Sequence, residues 1–342
     1  MKTLFTLLFA LGVYTVGCAQ PYQAPTGAAY DAFIKEYTAS FSTRKLDGVK
    51  AKLPALQKAY PGHPYTLFFE AWIADQEGDE QAALRGYSDA IRLMPDLSDP
   101  YYYRAYRFAQ KGMYDRAIAD MDKIIEVEKN NLQADYFSKR ADYKFWNGNA
   151  ADAFEDFKQA INLQPANDSY YRGMKNTGIK ANKVAEAEQV FKTALGGVQS
   201  GNAAIRIEYG NLLMETGKYT NADEQFSKAL ATPGFEAIAT DYSSAGIVAY
   251  KLKDYARART LMSKAAALDP KDEGNYINLA NIAIDEQKWE DVYTYAQKAM
   301  AINADNSMAN MMMAIGVKRT GRGDELAEQY EAKAKKLEAE GK

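Results

Sequence analysis

One feature constrains this chain more than any other: a small residue that returns every 34 to 36 positions along nearly its whole length. The series runs Ala83, Ala117, Ala153, Ala187, Ala222, Ala258, Val292, Leu326, in steps of 34, 36, 34, 35, 36, 34 and 34. A second series follows seven residues behind: Ala90, Ile124, Ala160, Ala194, Ala229, Ala265, Ala299. Between the two lies a large side chain in most copies, as at Tyr87, Met121, Phe157, Phe191, Phe226 and Met262. A unit of this size holds two short helices, and neither can bury its apolar stripe alone. Stability then requires copies of the unit on either side.

The copy from Glu208 to Ala231 shows how each unit is written. Ile205, Tyr209, Leu212 and Leu213 recur at helical spacing, and Tyr219, Ala222, Phe226, Ala229 and Leu230 form a second stripe. Gly217 supplies the turn between them, and Pro233-Gly234 ends the second helix. The first helices carry their own small position at Ala71, Ala105, Ala141, Gly210, Gly246, Ala280 and Ala314. Small residues let helices approach, and the aromatic or Met between them fills the remaining space.

A period near 34 with two helices per unit resembles the tetratricopeptide repeat family. The resemblance implies an all-α, right-handed superhelical solenoid of about nine helix-turn-helix repeats, starting near 30, 64, 98, 134, 168, 203, 239, 273 and 307. Residues 30–63 form a degraded N-terminal capping repeat, 64–306 the array, and 307–342 a C-terminal capping repeat with a charged tail. Two copies depart from the pattern. The first places Tyr37 where a small residue belongs, as a cap would. The copy from 168 places Lys175 there and adds Gly173 and Gly178 to the same helix. An interior glycine costs about 1 kcal/mol relative to Ala, so this helix is expected to be the weakest of the array and a hinge.

The N-terminus reads as an export signal over residues 1–19. Lys2 is the positive region, Leu4 to Val16 a short apolar region, and Gly17-Cys18-Ala19 a cleavage site. Alternatively Cys18, the only cysteine, becomes a lipidated first residue, although Thr15 stands where bacterial lipoproteins usually carry Leu. Residues 20–29, with two prolines and a glycine, read as a linker. No later stretch approaches the ~18 apolar residues that span a bilayer. These features predict an exported protein, periplasmic or associated with an outer membrane. Forty-two Lys and Arg against 45 Asp and Glu leave a net charge of −3 and no basic stripe, so nucleic acid is not an expected partner.

Residues for catalysis are sparse. His63, in the turn Pro61-Gly62-His63-Pro64, is the only histidine, which excludes a His-based triad or a His-rich metal site. Gly321-Arg322-Gly323 is too short for a phosphate loop. Glu155-Asp156 and Asp285-Glu286 read as solvated helix faces. No enzymatic activity, cofactor or metal is expected.

In the family resembled, the first helix of each repeat faces a concave groove. The matching positions here are Tyr65, Phe68, Trp72, Tyr102, Tyr106, Phe145 and Trp146 in the early repeats. The later ones offer Arg172, Asn176, Asn211, Met214, Tyr250, Ile277 and Asn281. Aromatics suit apolar or planar groups, and an asparagine amide both donates to and accepts from an extended peptide backbone. The resemblance thus implies a non-catalytic scaffold or assembly factor of a bacterial cell envelope that holds a protein or peptide. A carbohydrate-binding surface protein that stacks sugars on the aromatics, and a structural spacer, are the competing readings. The clamp with which some tetratricopeptide modules hold chaperone tails is absent. Arg172 and Asn176 match its first two members, but Glu208, Thr240 and Ser244 stand where Asn, Lys and Arg are required.

Overall fold

The computed structural model describes residues 22–341, and every regular element among them is an α-helix. The chain divides into two compact units, Met1–Leu132 and Gln133–Lys342. The first contains α1 (Ala28–Thr43), α2 (Asp47–Ala59), α3 (Pro64–Gln76), α4 (Glu80–Leu93), α5 (Ser98–Gln110) and α6 (Tyr114–Val127). The second begins with α7 (Ala134–Trp146), α8 (Ala150–Leu163), α9 (Asp168–Lys180), α10 (Val184–Gly196), α11 (Ala203–Glu215) and α12 (Tyr219–Leu230). It continues with α13 (Ala239–Lys251), α14 (Tyr255–Leu268), α15 (Glu273–Asp285), α16 (Trp289–Ile302), α17 (Ser307–Arg319) and α18 (Asp324–Ala339). The helices pair in sequence as hairpins, and within each unit neighbouring hairpins stack. The export signal and Cys18 lie outside the described residues.

Packing explains the periodic residues. Ala83, Ala117, Ala153, Ala187, Ala222, Ala258 and Val292 are all fully buried, as are Tyr87, Met121, Phe191 and Phe226. In α11 the small position lets the Phe226 ring of α12 lie so close that a β-carbon on Gly210 would stand 2.8 Å from it. The last step of the series is a correction. Leu326 is 40% exposed and the buried residue is Ala327, because the turn before α18 holds one residue more than the other turns between paired helices. The extra residue moves every later side chain about 100° around the helix.

Polar groups also repeat. A side chain early in several first helices donates to a carbonyl six residues back, closing the turn between hairpins. Thr66 binds Tyr60 (3.0 Å), Tyr101 Pro95 (3.1 Å), Tyr171 Pro165 (3.1 Å) and Asn310 Ala304 (2.9 Å). Ion pairs join the turn inside one hairpin to the second helix of the hairpin before it: Lys111 to Glu80 at 2.7 Å, Lys183 to Glu155 at 2.6 Å, and Arg322 to Glu290 at 2.8 Å. The expectation of a solvated face at Glu155-Asp156 fails for Asp156. That carboxylate is buried and clamped by Arg140 (2.6 Å) and Lys144 (2.8 Å) of α7. Buried Asp120 takes both arms of Arg104 in the same way.

At the front of the first unit Tyr37 does more than replace a small residue. It is buried against Phe33, Phe69 and Trp72, and its hydroxyl meets that of Tyr103 at 3.3 Å. Residues 22–27, expected to be a linker, lie on the turn between α2 and α3. Tyr22 meets His63 edge-on at 5.1 Å, Gln23 accepts from the His63 ring at 3.0 Å, and the Thr26 N–H donates to the Tyr60 hydroxyl at 3.1 Å.

The glycines of α9 act differently from their expected weakening role. Gly173 receives the Phe157 ring and Gly178 the Phe154 ring, both from α8, so each marks close approach between packed helices. α9 consequently packs on α8 more extensively than on its own hairpin partner α10. The loosely held element is α10, which has slight contact with both α9 and α11 and leaves Ala194 only half-buried.

Candidate functional site

Because the close contacts of α9 are made at Gly173 and Gly178, the small position at 175 is released from packing duty. Lys175 occupies it and reaches across to α11, where its Nζ lies 2.9 Å from Glu215 and 4.0 Å from Glu208. One turn earlier, the Arg172 Nε donates to Glu208 at 2.5 Å, with another guanidinium nitrogen 3.4 Å from Asp168. Glu208 and Lys175 are both buried, whereas the Arg172 side chain is 57% exposed. A carboxylate is stable in such burial only because two cations face it. Hydrogen bonding to Glu208 in turn holds the Arg172 guanidinium pKa above its ordinary value.

These residues line one side of an open recess of about 450 Å³ bordered by α9, α11, α13 and the loop from Phe235 to Ile238. That size falls within the range of small-ligand sites. Asn176, Asn211, Glu236, Thr240, Asp241 and Ser244 complete its polar lining. Asp241 caps α13 by accepting the Ile238 N–H at 3.0 Å. Burial raises its pKa, opposed by that bond and by the charge of Arg172. The Asn211 side-chain oxygen is buried without a hydrogen-bond partner. Stacked first helices therefore present a polar recess with ion pairs along one side.

The structure brings together Arg172, Asn176 and Asn211 from the expected binding residues. Asn281 is half-buried on α15 and does not line this cavity. Sequence reasoning missed Lys175, Glu208 and Asp241 as members of the site. The signal for Lys175 was present as a charge at a position otherwise small. Glu208 and Asp241 carry no mark distinguishing them from surface carboxylates.

Three of the expected groove aromatics are corrected. Phe68 is fully buried, Trp72 is 3% exposed and Tyr65 8%. α1 covers two of them, its Tyr37 and Phe41 lying over Trp72 at 4.8 and 5.9 Å and its Tyr30 meeting Tyr65 edge-on, while Phe68 packs against Tyr87 of α4 and Tyr103 of α5. Tyr102 and Phe145 are half-buried. Tyr106 and Trp146 are the ones that stay exposed, at 46% and 56%. The Tyr106 ring carries Arg107 over its face, and its hydroxyl accepts from Gln110 at 2.8 Å. Beside this aromatic core Asp99 has a pKa raised to about 6, by burial first and then by the charge of Glu128. Among the described residues no group of His, Cys, Asp and Glu is arranged to hold a metal ion. None of their helices is long and apolar enough to cross a membrane.

No protein-family model matches the chain. It is similar to a tetratricopeptide repeat and J domain-containing co-chaperone of Cryptococcus neoformans var. grubii. The two are 25% identical over 207 residues, 60% of this chain and 34% of that protein. It is also similar to the mitochondrial import receptor subunit TOM70 of Rattus norvegicus, 22% identical over 131 residues, 38% of this chain and 21% of that one. The chain thus spans about a third or less of these curated relatives. Among solved structures, yeast Tom70 superposes with a TM-score of 0.53 at 18% identity, covering 87% of this chain and 62% of that one. The C-terminal part of a TPR repeat-containing protein from Cytophaga hutchinsonii superposes with a TM-score of 0.54 at 14% identity, covering 71% of this chain and 97% of that one.

Proposed function

We propose that this chain, whose fold is that of a tetratricopeptide-repeat array, is a non-catalytic scaffold that holds a segment of another protein against α9, α11 and α13. One observation carries the reading: the recess of about 450 Å³ lined on one side by an ion network built on buried Glu208 and Lys175. A charged floor is an expensive way to join two helices, since apolar residues of similar volume stabilise at least as well. Its use here makes sense as a surface that fixes the orientation of a polar partner. Asn176 and Asn211 match the backbone of an extended segment, which offers an N–H and a C=O at every residue. The names of the relatives, a co-chaperone and an import receptor subunit, fit a role in handling other polypeptides.

The site of action is proposed from the N-terminal pattern alone. Lys2, the apolar run from Leu4 to Val16 and Gly17-Cys18-Ala19 support export to a bacterial cell envelope, with Cys18 either removed or lipidated. A sugar-stacking role would be left with Tyr106 and Trp146, since α1 covers Trp72 and Phe68 is buried.

Asn176 is exposed and lines the recess, so Asn176→Trp fills the site without disturbing the core. Retention of peptides from a random decapeptide library should fall at least tenfold in this variant, with a melting temperature close to that of the parent chain. Unchanged retention would place the binding surface elsewhere.

A further inference from the structure

The far half of α10 stands off the stack. At the repeat position of Ala194, residues Ala90, Ile124, Ala160, Ala229, Ala265 and Ala299 are fully buried, whereas Ala194 itself is half-buried. From residue 189 to residue 199 one side chain is buried, that of Phe191. Its ring lies 5.4 Å from that of Tyr171 on α9 and 5.1 Å from that of Tyr209 on α11, nearly parallel to the second. Gly196 and Gly197 follow, and Val198 is exposed.

The chain is held firmly on either side of this stretch. Before it, Lys183 pairs with Glu155 of α8 at 2.6 Å, Ala187 lies against Gly178 of α9, and buried Glu188 pairs with Lys218. After it, the Ser200 carbonyl accepts from Arg206 at 2.5 Å, and Asn202 caps α11 by accepting the Ile205 N–H at 3.1 Å. The slot that receives Phe191 has supports of its own. The Tyr171 hydroxyl donates to the Pro165 carbonyl at 3.1 Å, and α9 rests on the Phe154 and Phe157 rings of α8. Arg172 to Glu208 at 2.5 Å and Lys175 to Glu215 at 2.9 Å tie α9 straight to α11. The helices that carry the two tyrosines are therefore joined without α10. Segments with few buried contacts open locally at low free energy, and glycines gain most freedom on opening.

We propose that residues 189–199 are a flap that opens as one unit while α9 and α11 stay in place, with Phe191 as its latch. Opening uncovers an aromatic slot between Tyr171 and Tyr209, and Phe191 is the internal ligand that closes it. The Tyr209 wall is a ring face, so the slot suits a flat apolar side chain. The flap is separate from the recess, which α10 does not line.

Residue-resolved hydrogen exchange on the full chain tests this. Amides of residues 189–199 should share one opening constant, at least tenfold larger than those of α9 and α11. Phe191→Ala should raise that constant at least tenfold further and leave exchange in α9 and α11 within twofold of the parent. Toluene, which has the shape of the lost side chain, should slow exchange of the flap in this variant at least threefold by refilling the slot. Exchange in the parent that is graded inward from residue 196, with no common opening, overturns the proposal. So does acceleration of α9 and α11 along with the flap, or loss of the fold, in Phe191→Ala, and so does a flap whose exchange toluene leaves unchanged.

Discussion

Lys175 stands where the other first helices from α3 onward carry Ala or Gly, and it holds the ionic floor together. Lys175→Met keeps the length of the side chain and removes its charge, leaving buried Glu208 with Arg172 alone. A loss of about 2 kcal/mol in urea unfolding is expected from the uncompensated carboxylate. Adding Glu208→Gln should recover part of it, giving a coupling of roughly 1 kcal/mol in a double-mutant cycle. Strict additivity would show that the two residues do not act as a pair. His63 is the other residue whose chemistry is exposed to a direct test. Its Nδ1 accepts the Tyr65 N–H at 3.3 Å while Nε2 donates to the Gln23 carbonyl at 3.0 Å, an arrangement available to one neutral tautomer. Burial lowers its pKa from the ordinary 6.5. The folded value lies below the unfolded one, so the contribution to stability is complete above pH 6.5 and is lost as pH falls through the folded value. Protection of the Thr26 amide, which bonds Tyr60, should therefore drop between neutral and mildly acid pH, beyond the intrinsic change in exchange rate. Protection that stays constant would rule out the clasp.

At the scale of the element, glycine content and looseness part company. A count of helix propensity marks α9 as weak, yet the two glycines admit the rings of Phe154 and Phe157 and tie α9 to α8. Propensity is a property of an isolated helix, and tertiary contact decides here. α10 is anchored chiefly by Phe191, which meets Tyr171 and Tyr209, has fewer close helix contacts than α9, and ends at the glycines at 196 and 197. Local opening follows from few buried contacts, so amides of α10 should exchange faster than those of α9 by an order of magnitude or more. Equal rates in the two helices would contradict the packing argument. The same logic explains why terminal elements misled the reading of the aromatics. Whether Trp72 faces solvent depends on what α1 carries, and α1 carries Tyr37 and Phe41 rather than small residues.

Across the whole molecule, the hairpins were legible because their packing recurs. Ala83 to Val292 are equivalent positions in one repeated environment, and a period survives divergence of everything between. The binding recess was only half legible. Asn176 and Asn211 followed from their repeat position, whereas the link from Lys175 to Glu215 joins residues 40 apart on different helices and has no period to reveal it. The step from Val292 to Leu326 kept the right spacing and still missed, because a single added turn residue is invisible to a count that tolerates 34 to 36. Regularity in this chain thus reports architecture, and the irregular repeat reports the site. The proposed function requires a partner to lie at that site. A photo-crosslinking residue at position 176, on the recess, compared with one at Ser263, on the exposed face of α14, tests it most directly with the same decapeptide library. Covalent capture is expected from position 176, competed by free library peptide, and little from position 263. Equal capture at both positions, or capture from 263 alone, would contradict it.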